Sequence, residues 1–468
     1  MARIAFFGAG YAGLVSGAGF AELGHTVVVR DVLPERIEGL KAGRIPFYEP
    51  GLGELVARNA ERLSFTLSME EAVTGSDFLF ICVGTPPTAS GDANLSAVWS
   101  VVEDLPHDLG PVVLAMKSTV PVGTGDKVRA ELDRRGLQQV GYVSCPEFLS
   151  EGTAVRDFME ADRVVVGSSE DAHGNAVAAL HDGLEAPVVL MDVPSAEMVK
   201  LAANAYLATR ISFINEIANV CELVGADVEQ VARGMGLDKR IGTHYLRAGI
   251  GFGGSCFPKD MSFLKLLAGN SGYHFHLVSS VIEVNELQIR RPVAKAQRHL
   301  GSLRGKRIAL LGLAFKPNTD DLREAPSLVL TARFLAEGAQ VVAWDPVVDA
   351  REILHGVEFA DTAAAALAGA DAAVIVTEWP ELRDLPWGEL RETMRTPLVI
   401  DGRNHLDPDV MRAHGYAYEA MGRTTSPFAA LAETEEPEPG AASLAGKADD
   451  ARPEDRGAGG APVSKLHR

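Results

Sequence analysis

The first 31 residues constrain the fold more than any other part of the chain. They consist of an apolar strand-like run (RIAFFGAG), a helix-like run of small residues (YAGLVSGAGFAELG) and a β-branched run that ends in aspartate (HTVVVRD). Further strand-like runs follow at 77–84, 111–120 and 163–167, with helical patterns between them. Strands that alternate with helices predict an α/β fold, in which helices cover both faces of a doubly wound parallel sheet.

A glycine motif lies at the first turn. Gly8, Gly10 and Gly13 form G-x-G-x-x-G between a strand and a helix, and Asp31 ends the next strand at the spacing that this motif requires. Such glycines admit a pyrophosphate close to the backbone, and the helix N-terminus supplies N–H groups to it. Asp31 would accept hydrogen bonds from ribose hydroxyls and repel a 2′-phosphate, which favours NAD over NADP. Arg30 and Arg36 weaken that preference slightly.

A second αβ unit begins at Gly305. Its strand-like runs are KRIALLGLAF, AQVVAWDP, DAAVIVTEW and TPLVIDGRN, and its first helix-like run is SLVLTARFLAEG. The first strand ends in GLAFKPNTDD, where a pyrophosphate motif would need its glycines, so we expect this unit to bind a different ligand. Lys316 and Arg403 each follow a predicted strand, which is where ligands bind in such sheets. Two cations there suit a phosphate-bearing molecule, although their spacing alone equally fits ordinary loop charges.

The segment 195–225 predicts one long helix between the two units. It contains no proline and no internal glycine, with Ser195 as the predicted N-cap and Gly225 just past the end. Its apolar residues surround much of the circumference, which suits a spine between domains or a dimer interface. We therefore predict a Rossmann-like NAD-binding domain at 1–192, a central helical and dimerisation domain at 193–300, a second Rossmann-like domain at 301–428 and a disordered tail at 429–468.

Charge and cysteine content exclude several classes of protein. A net charge of −19 argues against nucleic acid or an anionic membrane surface as a partner. The cysteines are widely spaced, which makes a disulfide framework or a metal cluster unexpected and fits a reducing compartment. The uncharged run Ile4 to Ala21 resembles a signal peptide, but its five glycines interrupt the apolar stretch. We therefore expect a cytoplasmic protein without a membrane anchor.

The most reactive candidate lies in GIGFGGSCFPKD at 249–260. Pro258 is predicted to be the first residue of a helix, so Cys256 would precede a helix N-terminus whose partial charge favours thiolate. Taken alone, Cys256 is as consistent with a structural cysteine as with a nucleophile. Lys200 and Asn204 are spaced i, i+4 on the long helix and share one face. From spacing alone, Lys200 either reaches solvent or is held in a site.

Several long motifs resemble the UDP-glucose 6-dehydrogenase family, within the wider UDP-glucose/GDP-mannose dehydrogenases. The resemblance extends from residue 1 to about residue 425. It rests on these stretches: GAGYAGL, YEPGL, STVPVGT, PEFLSEGTAVRDF, KLAANAYLATRISFINEIA, RIGTHYLRAGIGFGGSCFPKD and GLAFKPNTDDLREAPS.

This resemblance implies a reaction and a set of catalytic residues. The family oxidises the sugar C6 alcohol to a carboxylate with two NAD and a covalent thioester. Cys256 matches the nucleophile, and Lys200, Asn204 and Asp260 match residues around the sugar C6 and an ordered water. Glu147 matches the acid/base for thioester hydrolysis, with Thr119 nearby.

The resemblance also implies the residues that bind the two ligands. The cofactor residues are Gly8, Gly10, Tyr11, Ala12, Gly13, Asp31, Arg36, Thr85, Thr119, Glu151 and Arg323. The substrate residues are Glu147, Phe148, Leu149, Lys200, Asn204, Arg240, Tyr245, Arg247, Gly253, Lys259, Phe315, Lys316 and Arg403.

The implied assembly is a homodimer in which Arg240 is lent to the neighbouring subunit's site. The segment before the glycine run favours UDP-glucose over GDP-mannose. The alternatives are a dehydrogenase of another nucleotide sugar, such as GDP-mannose or a UDP-N-acetylhexosamine, and a catalytically silent NAD-binding dimer.

Overall fold

The computed structural model describes residues 1–423, and the predicted tail at 429–468 lies outside the described residues. Within residues 1–423 the strands form two sheets. The strands of the first sheet are β1 (Arg3–Phe7), β2 (Thr26–Arg30), β3 (Leu63–Thr66), β4 (Phe78–Ile81), β5 (Val113–Met116), β6 (Gly141–Ser144), β7 (Val164–Ser168) and β8 (Val188–Met191). Those of the second are β9 (Arg307–Leu311), β10 (Gln340–Trp344), β11 (Val357–Phe359), β12 (Ala372–Ile375), β13 (Leu398–Asp401) and β14 (Ala417–Ala420).

Helices connect most of these strands. The helices of the first half are α1 (Tyr11–Glu22), α2 (Pro34–Lys41), α3 (Leu52–Arg58), α4 (Met69–Val73), α5 (Ser96–Asp104), α6 (Thr124–Arg134), α7 (Ala154–Met159) and α8 (Asp171–Ala179). The central helices are α9 (Val193–Val224), α10 (Val228–Gly236), α11 (Phe257–Asn270), α12 (His276–Gln288) and α13 (Arg291–Leu300). The second half contains α14 (Pro326–Ala336), α15 (Ala363–Leu367), α16 (Trp387–Leu390) and α17 (Pro408–Ala413).

The order of the strands confirms the predicted fold class. The first sheet has the order β3-β2-β1-β4-β5-β6-β7-β8, and the second has β11-β10-β9-β12-β13-β14. Both contain the doubly wound order of a dinucleotide-binding fold. In such sheets the strand order reverses beside the first strand, and ligands bind at the carboxyl ends there. The two candidate ligand sites therefore lie at the ends of β1 and β9.

One pairing differs from the fully parallel sheet that the sequence predicts. β7 runs antiparallel to β6, with Val143 opposite Ser168, while β8 is again parallel to β7. The connection from β6 to β7 leaves the carboxyl edge of the sheet and returns at that same edge. A parallel pair would need a crossover to the opposite edge. The loop between β6 and β7 therefore stays beside the cleft.

Apolar cores lie on both faces of each sheet. Along β1, Ile4 and Phe6 pack into one cluster, while Ala5 and Phe7 pack into another on the opposite face. Successive side chains of a strand point to opposite faces, so a strand without polar positions has to be covered on both. Clusters on the two faces of the second sheet repeat this arrangement.

The long helix α9 begins earlier than predicted. Asp192, rather than Ser195, is its N-cap, and the carboxylate accepts a hydrogen bond of 2.7 Å from the Ser195 amide. Pro194 lies in the first turn, where the missing N–H of proline costs no helical bond, so it does not stop the helix. Gly225 ends the helix in the left-handed conformation, as predicted. The helix therefore reaches the edge of the first sheet and presents Lys200 and Asn204 to the cleft.

The second unit keeps an acid at the end of its second strand. Asp345 follows β10, and its carboxylate accepts hydrogen bonds from the amides of Leu313 and Ala314 and from the indole nitrogen of Trp379. The Trp379 indole thus donates to an acid whose counterpart in a dinucleotide-binding domain would accept hydrogen bonds from a ribose. This agrees with the expectation that the second unit binds a different ligand.

None of the helices in residues 1–423 is both long and apolar enough to cross a membrane.

Candidate active site

A cleft of about 1130 Å³ runs between the two units. Its walls come from the loop between β6 and β7, one face of α9, the glycine-rich segment before α11 and the loops after β9 and β13. Thirteen residues predicted from the sequence line it: Glu147, Phe148, Leu149, Glu151, Lys200, Asn204, Tyr245, Arg247, Gly253, Cys256, Phe315, Lys316 and Arg403. Residues that are up to 256 positions apart in the chain therefore meet in one cavity, which is the arrangement expected of an active site.

The glycine turn after β1 fits a pyrophosphate. Gly8 has φ +105°, and a side chain there would collide with the carbonyl of Cys82. A side chain at Gly13 would collide with the Gly8 carbonyl, so this glycine allows the close packing of helix and strand. The space in front of Gly10 is open, and helix α1 begins directly after it. Its first N–H groups have no intrahelical partner and can bind a phosphate.

Asp31 holds the same turn from the neighbouring strand. Its carboxylate accepts a hydrogen bond of 2.7 Å from the Ala9 amide and lies 3.1 Å from the guanidinium of Arg36. The carboxylate is thus fixed at the end of β2, where a dinucleotide-binding domain contacts a ribose. Thr85 and Thr119 follow β4 and β5, and the Thr85 hydroxyl donates to the Thr119 carbonyl at 2.7 Å. These residues fit a dinucleotide laid across the carboxyl end of the sheet.

Cys256 lies at the N-terminus of α11 but is not a thiolate there. The helix begins at Phe257, one residue earlier than predicted, and Cys256 is its N-cap. Burial raises the pKa of the Cys256 thiol, and the Lys200 ammonium opposes that effect without cancelling it. Because the thiol is buried next to the carboxylates of Glu147 and Asp260, the helix terminus does not suffice to ionise it. The expected resting thiolate is therefore wrong, and the thiol needs a base or a bound ligand to react.

Lys200 and Glu147 form a buried ion pair. The Lys200 Nζ lies 3.1 Å from a carboxylate oxygen of Glu147, and both side chains are largely buried. Burial lowers the pKa of Lys200, but the negative charges of Glu147, Cys256 and Asp260 outweigh that effect, and the net pKa is raised. Lys200 is thus an ammonium at neutral pH. It can stabilise an oxyanion, and it is less suited to remove the proton of a hydroxyl.

Asn204 and Asp260 join helix α9 to helix α11. The Asn204 amide donates to one oxygen of Asp260 at 2.6 Å, and the Lys259 ammonium donates to the other at 2.5 Å. Asp260 is fully buried and does not line the cleft itself. Its first contact with the cleft is therefore through Asn204. The carboxylate orients the amide of Asn204, and Asn204 lines the same cavity as Cys256.

A second carboxylate, Glu151, links the two units. It accepts hydrogen bonds from Arg323 at 3.1 Å and from the Ser255 hydroxyl at 3.3 Å. The Ser255 hydroxyl also lies 3.5 Å from the sulfur of Cys256. Burial raises the pKa of Glu151 to about 8, and the neighbouring charge of Asp321 adds to the rise. Glu151 is thus mostly protonated at neutral pH.

Tyr11 makes a second link between the units. Its hydroxyl donates to Asp320 at 2.9 Å and lies 3.1 Å from the Thr319 hydroxyl. Tyr11 is the first residue of α1, directly beside the glycine turn, while Thr319 and Asp320 belong to the loop after β9. The expected cofactor turn and the second unit are therefore in direct contact.

The far end of the cleft carries the expected phosphate-binding cations. The Lys316 ammonium donates to the Ser150 hydroxyl at 2.7 Å, and burial lowers its pKa. The guanidinium of Arg403 donates to the carbonyls of Val376 and Gly251 and lies 3.4 Å from Glu378. Cations that are buried and held by such contacts favour the interpretation as a diphosphate site over the alternative of ordinary solvated loop charges.

Some predicted residues do not line the cleft of their own chain. Arg240 is 89% exposed and pairs with Asp238. Arg323 does not line the cleft but donates to Glu151, which does, and Lys259 donates to Asp260, which lies outside the lining like Lys259 itself. Thr119 is half-buried beside it. Tyr245 lines the cleft with φ +60°, an uncommon conformation for a residue with a side chain, so the backbone is strained there.

Arg163 and Lys117 are among the cleft residues that the sequence analysis did not identify. The guanidinium of Arg163 stacks on the ring of Phe148, 3.6 Å from its centre. Lys117 lines the inner end of the cavity and is buried. Both occur in runs that were interpreted only as strands, RVVVG and PVVLAMKSTV. A charged residue at the end of an apolar strand was the signal that could have identified them.

Comparison with known proteins gives three family models that match in order along the chain. They describe the NAD binding domain of the UDP-glucose/GDP-mannose dehydrogenase family at residues 2–185, its central domain at 194–287 and its UDP binding domain at 309–408.

Curated relatives and solved structures agree with these models. The chain is 46% identical to the UDP-glucose 6-dehydrogenase TuaD of Bacillus subtilis, over 90% of this chain and 94% of that protein. It is 44% identical to a UDP-glucose 6-dehydrogenase of Pseudomonas aeruginosa, over 90% and 97%. A UDP-glucose dehydrogenase structure from Pyrobaculum islandicum superposes with a TM-score of 0.83 at 37% identity, covering 91% of this chain and 98% of that one.

Proposed function

Because this chain belongs to the UDP-glucose/GDP-mannose dehydrogenase family, we propose that it is a UDP-glucose 6-dehydrogenase that oxidises UDP-glucose to UDP-glucuronate with NAD. The observation that carries the proposal is a single cavity that holds Cys256, the Lys200–Glu147 ion pair and Asn204 at one end and Lys316 and Arg403 at the other. A sugar nucleotide has the matching polarity, with a neutral alcohol at one end and a diphosphate at the other.

The glycine turn and Asp31 bind the cofactor. NAD bound there would supply the acceptor for a hydride from the sugar C6, and two NAD would be required for each sugar because the alcohol loses four electrons on the way to the acid. Gly10 and the N-terminus of α1 hold the pyrophosphate, while Asp31 holds the adenosine ribose and disfavours a 2′-phosphate.

The first oxidation requires a base for the C6 hydroxyl and a site for the developing negative charge. Lys200 is already protonated, so a water oriented by the Asn204–Asp260 pair is the better base. The Lys200 ammonium and the Asn204 amide then stabilise an oxyanion at C6. Both groups are fixed by buried partners before the substrate arrives, so little reorganisation is required.

Cys256 retains the aldehyde. Its sulfur adds to C6 and forms a thiohemiacetal, and the second oxidation converts this to a thioester. The thiol is neutral at rest, so its proton has to leave as the carbon–sulfur bond forms. Attack on a carbonyl polarised by Lys200 makes that transfer easier than ionisation of the free thiol would be.

Glu147 completes the cycle by activating water. Its carboxylate lines the cavity next to Lys200, within reach of a thioester on Cys256. Water adds to C6, the carbon–sulfur bond breaks, and the acid leaves.

The nucleotide end and the assembly are also part of the proposal. Lys316 and Arg403 bind the diphosphate and uridine, and Arg240 of a second copy completes the site in a homodimer built on α9. Tyr206, Phe213 and Val220 follow each other at heptad spacing on α9 and are all exposed, which supports such an interface. We assign coenzyme binding to 1–192, dimerisation to 193–300 and UDP-sugar binding to 301–428.

The cysteines support a reducing compartment for this reaction. Cys82, Cys145, Cys221 and Cys256 are all free thiols. We therefore place the enzyme in the cytoplasm.

A neighbouring structure supports the second candidate, a UDP-N-acetylhexosamine as substrate. A UDP-D-ManNAc dehydrogenase from Pyrococcus horikoshii superposes with a TM-score of 0.80 at 27% identity, covering 90% of this chain and 99% of that one.

A spectrophotometric assay of NAD reduction with UDP-glucose, UDP-N-acetylmannosamine, UDP-N-acetylglucosamine and GDP-mannose separates the candidates. We expect reduction with UDP-glucose, at a kcat/KM at least tenfold above that for the others. Preference for another sugar would change the substrate, and no reduction with any of them would indicate a catalytically silent protein.

A further inference from the structure

The cavity extends past the catalytic residues into the first domain. Its inner end is lined by Lys117, Cys145, Phe158, His181 and Leu184, and it is continuous with the part that contains Glu147 and Cys256. The first four of these residues are buried. All five residues of this inner chamber belong to the first domain, whereas Lys316 and Arg403 of the nucleotide end belong to the second. The mechanism above does not use the chamber.

Lys117 is the polar group that distinguishes the chamber. It follows the end of β5, where the amides of Lys117 and Ser118 both donate to the Ile81 carbonyl at 2.9 Å and turn the chain. Only 5% of Lys117 is exposed. No side chain or carbonyl within residues 1–423 lies at hydrogen-bonding or ion-pairing distance from its Nζ. The Lys117 Nζ lies over the ring of Phe80, 5.8 Å from the ring centre.

The chamber walls do not provide a counter-charge. Burial lowers the pKa of His181 to about 3, so the imidazole is neutral. Burial raises the pKa of Cys145, so this side chain is a thiol. A buried amine without a protein acceptor is costly unless something in the cavity binds it. Water fits, because the Lys117 and His181 side chains offer it polar partners and the space belongs to the same cavity as the catalytic residues.

The proposed reaction consumes a water at its last step, in addition to the water at the Asn204–Asp260 pair that accepts the hydroxyl proton. This second water has to be held close to C6 while the substrate occupies the cavity. Cys145 of the inner chamber lies two residues before Glu147 in the chain, and both line the same cavity, so a water in the chamber can reach Glu147 within it.

We propose that Lys117 holds a water in the inner chamber that refills the position beside Glu147 for thioester hydrolysis. This inference rests on the proposed thioester mechanism. The water gives one proton to Glu147 while its oxygen bonds to C6, and the C6–Sγ bond breaks. Cys256 leaves as thiolate and takes that proton, while the acid formed at C6 releases its own. Lys117 thus acts as a positioning residue, with no contact to the substrate.

The test uses Lys117→Met, which keeps the aliphatic stem and removes the ammonium, with the exposed Lys127→Met as the matched control. We expect the KM values for UDP-glucose and NAD to stay within about twofold and kcat to fall roughly 10- to 100-fold. Intact-protein mass spectrometry of acid-quenched turnover should show a UDP-sugar thioester on Cys256 of Lys117→Met, at several times the wild-type level. An unchanged kcat, or a lower kcat without that adduct, would overturn the inference.

Two further variants keep the test decisive. Lys117→Gln retains an N–H donor for water and should accumulate less adduct than Lys117→Met. If the methionine variant does not fold, Lys117→Gln should still accumulate more adduct than wild type, and an unchanged level would count against the chamber. Glu147→Gln should also accumulate the thioester. If the thioester accumulates in Glu147→Gln but in neither Lys117 variant, the proposed role of Lys117 is refuted and the thioester mechanism stands. If it accumulates in none of the variants, the thioester mechanism itself is refuted.

A crystal structure of the full chain with UDP-glucose gives a direct answer. An ordered water within hydrogen-bonding distance of the Lys117 Nζ supports the inference. A halide at that position, identified by anomalous scattering after bromide exchange, or a dry chamber would refute it.

Discussion

The ammonium of Lys200 lies 3.1 Å from the carboxylate of Glu147, with only 4% and 11% of the two side chains exposed. The pair unites the two halves of the proposed chemistry, since Lys200 serves the oxidations and Glu147 the hydrolysis. It also favours the charged form of Lys200, because Glu147 raises the pKa of Lys200 against the effect of burial. Neither residue can therefore be changed without altering the other.

This coupling predicts non-additive effects on stability. Lys200→Met leaves Glu147 as a buried charge without its partner and should lower the free energy of unfolding by about 3–5 kcal/mol. Lys200→Met combined with Glu147→Gln should be less destabilising than the sum of the single changes, because the double variant buries no charge. Urea unfolding of the four proteins measures the coupling. Strict additivity would contradict a direct interaction.

Loss of the thiol should abolish formation of the acid. Cys256→Ala retains the cofactor turn and the cations at the nucleotide end, so UDP-glucose should still bind with a similar affinity. Acid production should fall roughly 10⁴-fold or more, the scale typical of a lost nucleophile. The wild type should release two NADH for each acid, and a coupled assay of both products measures this ratio. Near-normal acid formation by Cys256→Ala would make the cysteine structural.

Asp31 should control the choice of cofactor. The wild type is expected to prefer NAD, and Asp31→Ala should reduce the ratio of kcat/KM for NAD to that for NADP by roughly 10- to 100-fold, because a charged hydrogen-bond acceptor is lost. Glu35→Ala changes an exposed acid four residues further along the chain and is the control. An unchanged ratio in Asp31→Ala would mean that the ribose lies elsewhere.

Arg240 should act in the neighbouring subunit. Arg240→Ala and Cys256→Ala should each be inactive, yet a heterodimer of the two contains one site in which both residues are native. Random exchange of subunits should restore about one quarter of the wild-type activity, since half the dimers are hybrids with one intact site each. Native mass spectrometry confirms the exchange. Hybrids without activity would place the function of Arg240 within its own chain.

Glu151, which links the two units, should make the stability of the protein sensitive to pH. Its folded-state pKa of about 8 lies above the ordinary value of 4.5, so its contribution to stability is complete below pH 4.5 and is lost as the pH rises through 8. Without ligands, the wild type should lose stability between pH 5 and pH 9. Glu151→Gln should lose less of it, and thermal unfolding across this range measures the difference. The exposed Glu352→Gln should behave like the wild type.

The sequence predicts the scaffold well because its signals are local. Gly8, Gly10, Gly13 and Asp31 define one strand–helix–strand unit, and Gly225 ends α9 where expected. The errors also have local causes. The proline of α9 was expected to lie outside the helix, although the first turn tolerates it, so the N-cap is Asp192 rather than Ser195. Strand β7 is antiparallel because the loop from β6 returns at the same edge of the sheet that it leaves. The strand-like runs of the sequence do not show at which edge a loop returns.

The electrostatics of the site could not be obtained from the sequence. A cysteine at a helix N-terminus is expected to ionise, but burial beside Glu147 and Asp260 reverses the expected state of Cys256. That outcome depends partly on Glu147, which is 109 positions away from Cys256 in the chain. Arg163 and Lys117 were missed for a related reason. Both lie at strand ends, and only the folded positions of the neighbouring loops show that they line the cavity.

The contacts of Asp345, at the end of β10, distinguish the second half of the molecule from the half that has the coenzyme turn. Both halves have the same strand order, yet Asp345 is bound by the indole of Trp379 as well as by backbone amides. Trp379→Ala would remove one donor and leave a carboxylate still bound by amides, in a half whose turn retains Gly312 but lacks the second and third glycines of the motif. An engineer who wanted a second coenzyme site would have to rebuild the loop as well as remove the indole. The two halves therefore share a strand order, but the first half has the turn that suits a coenzyme and the second does not.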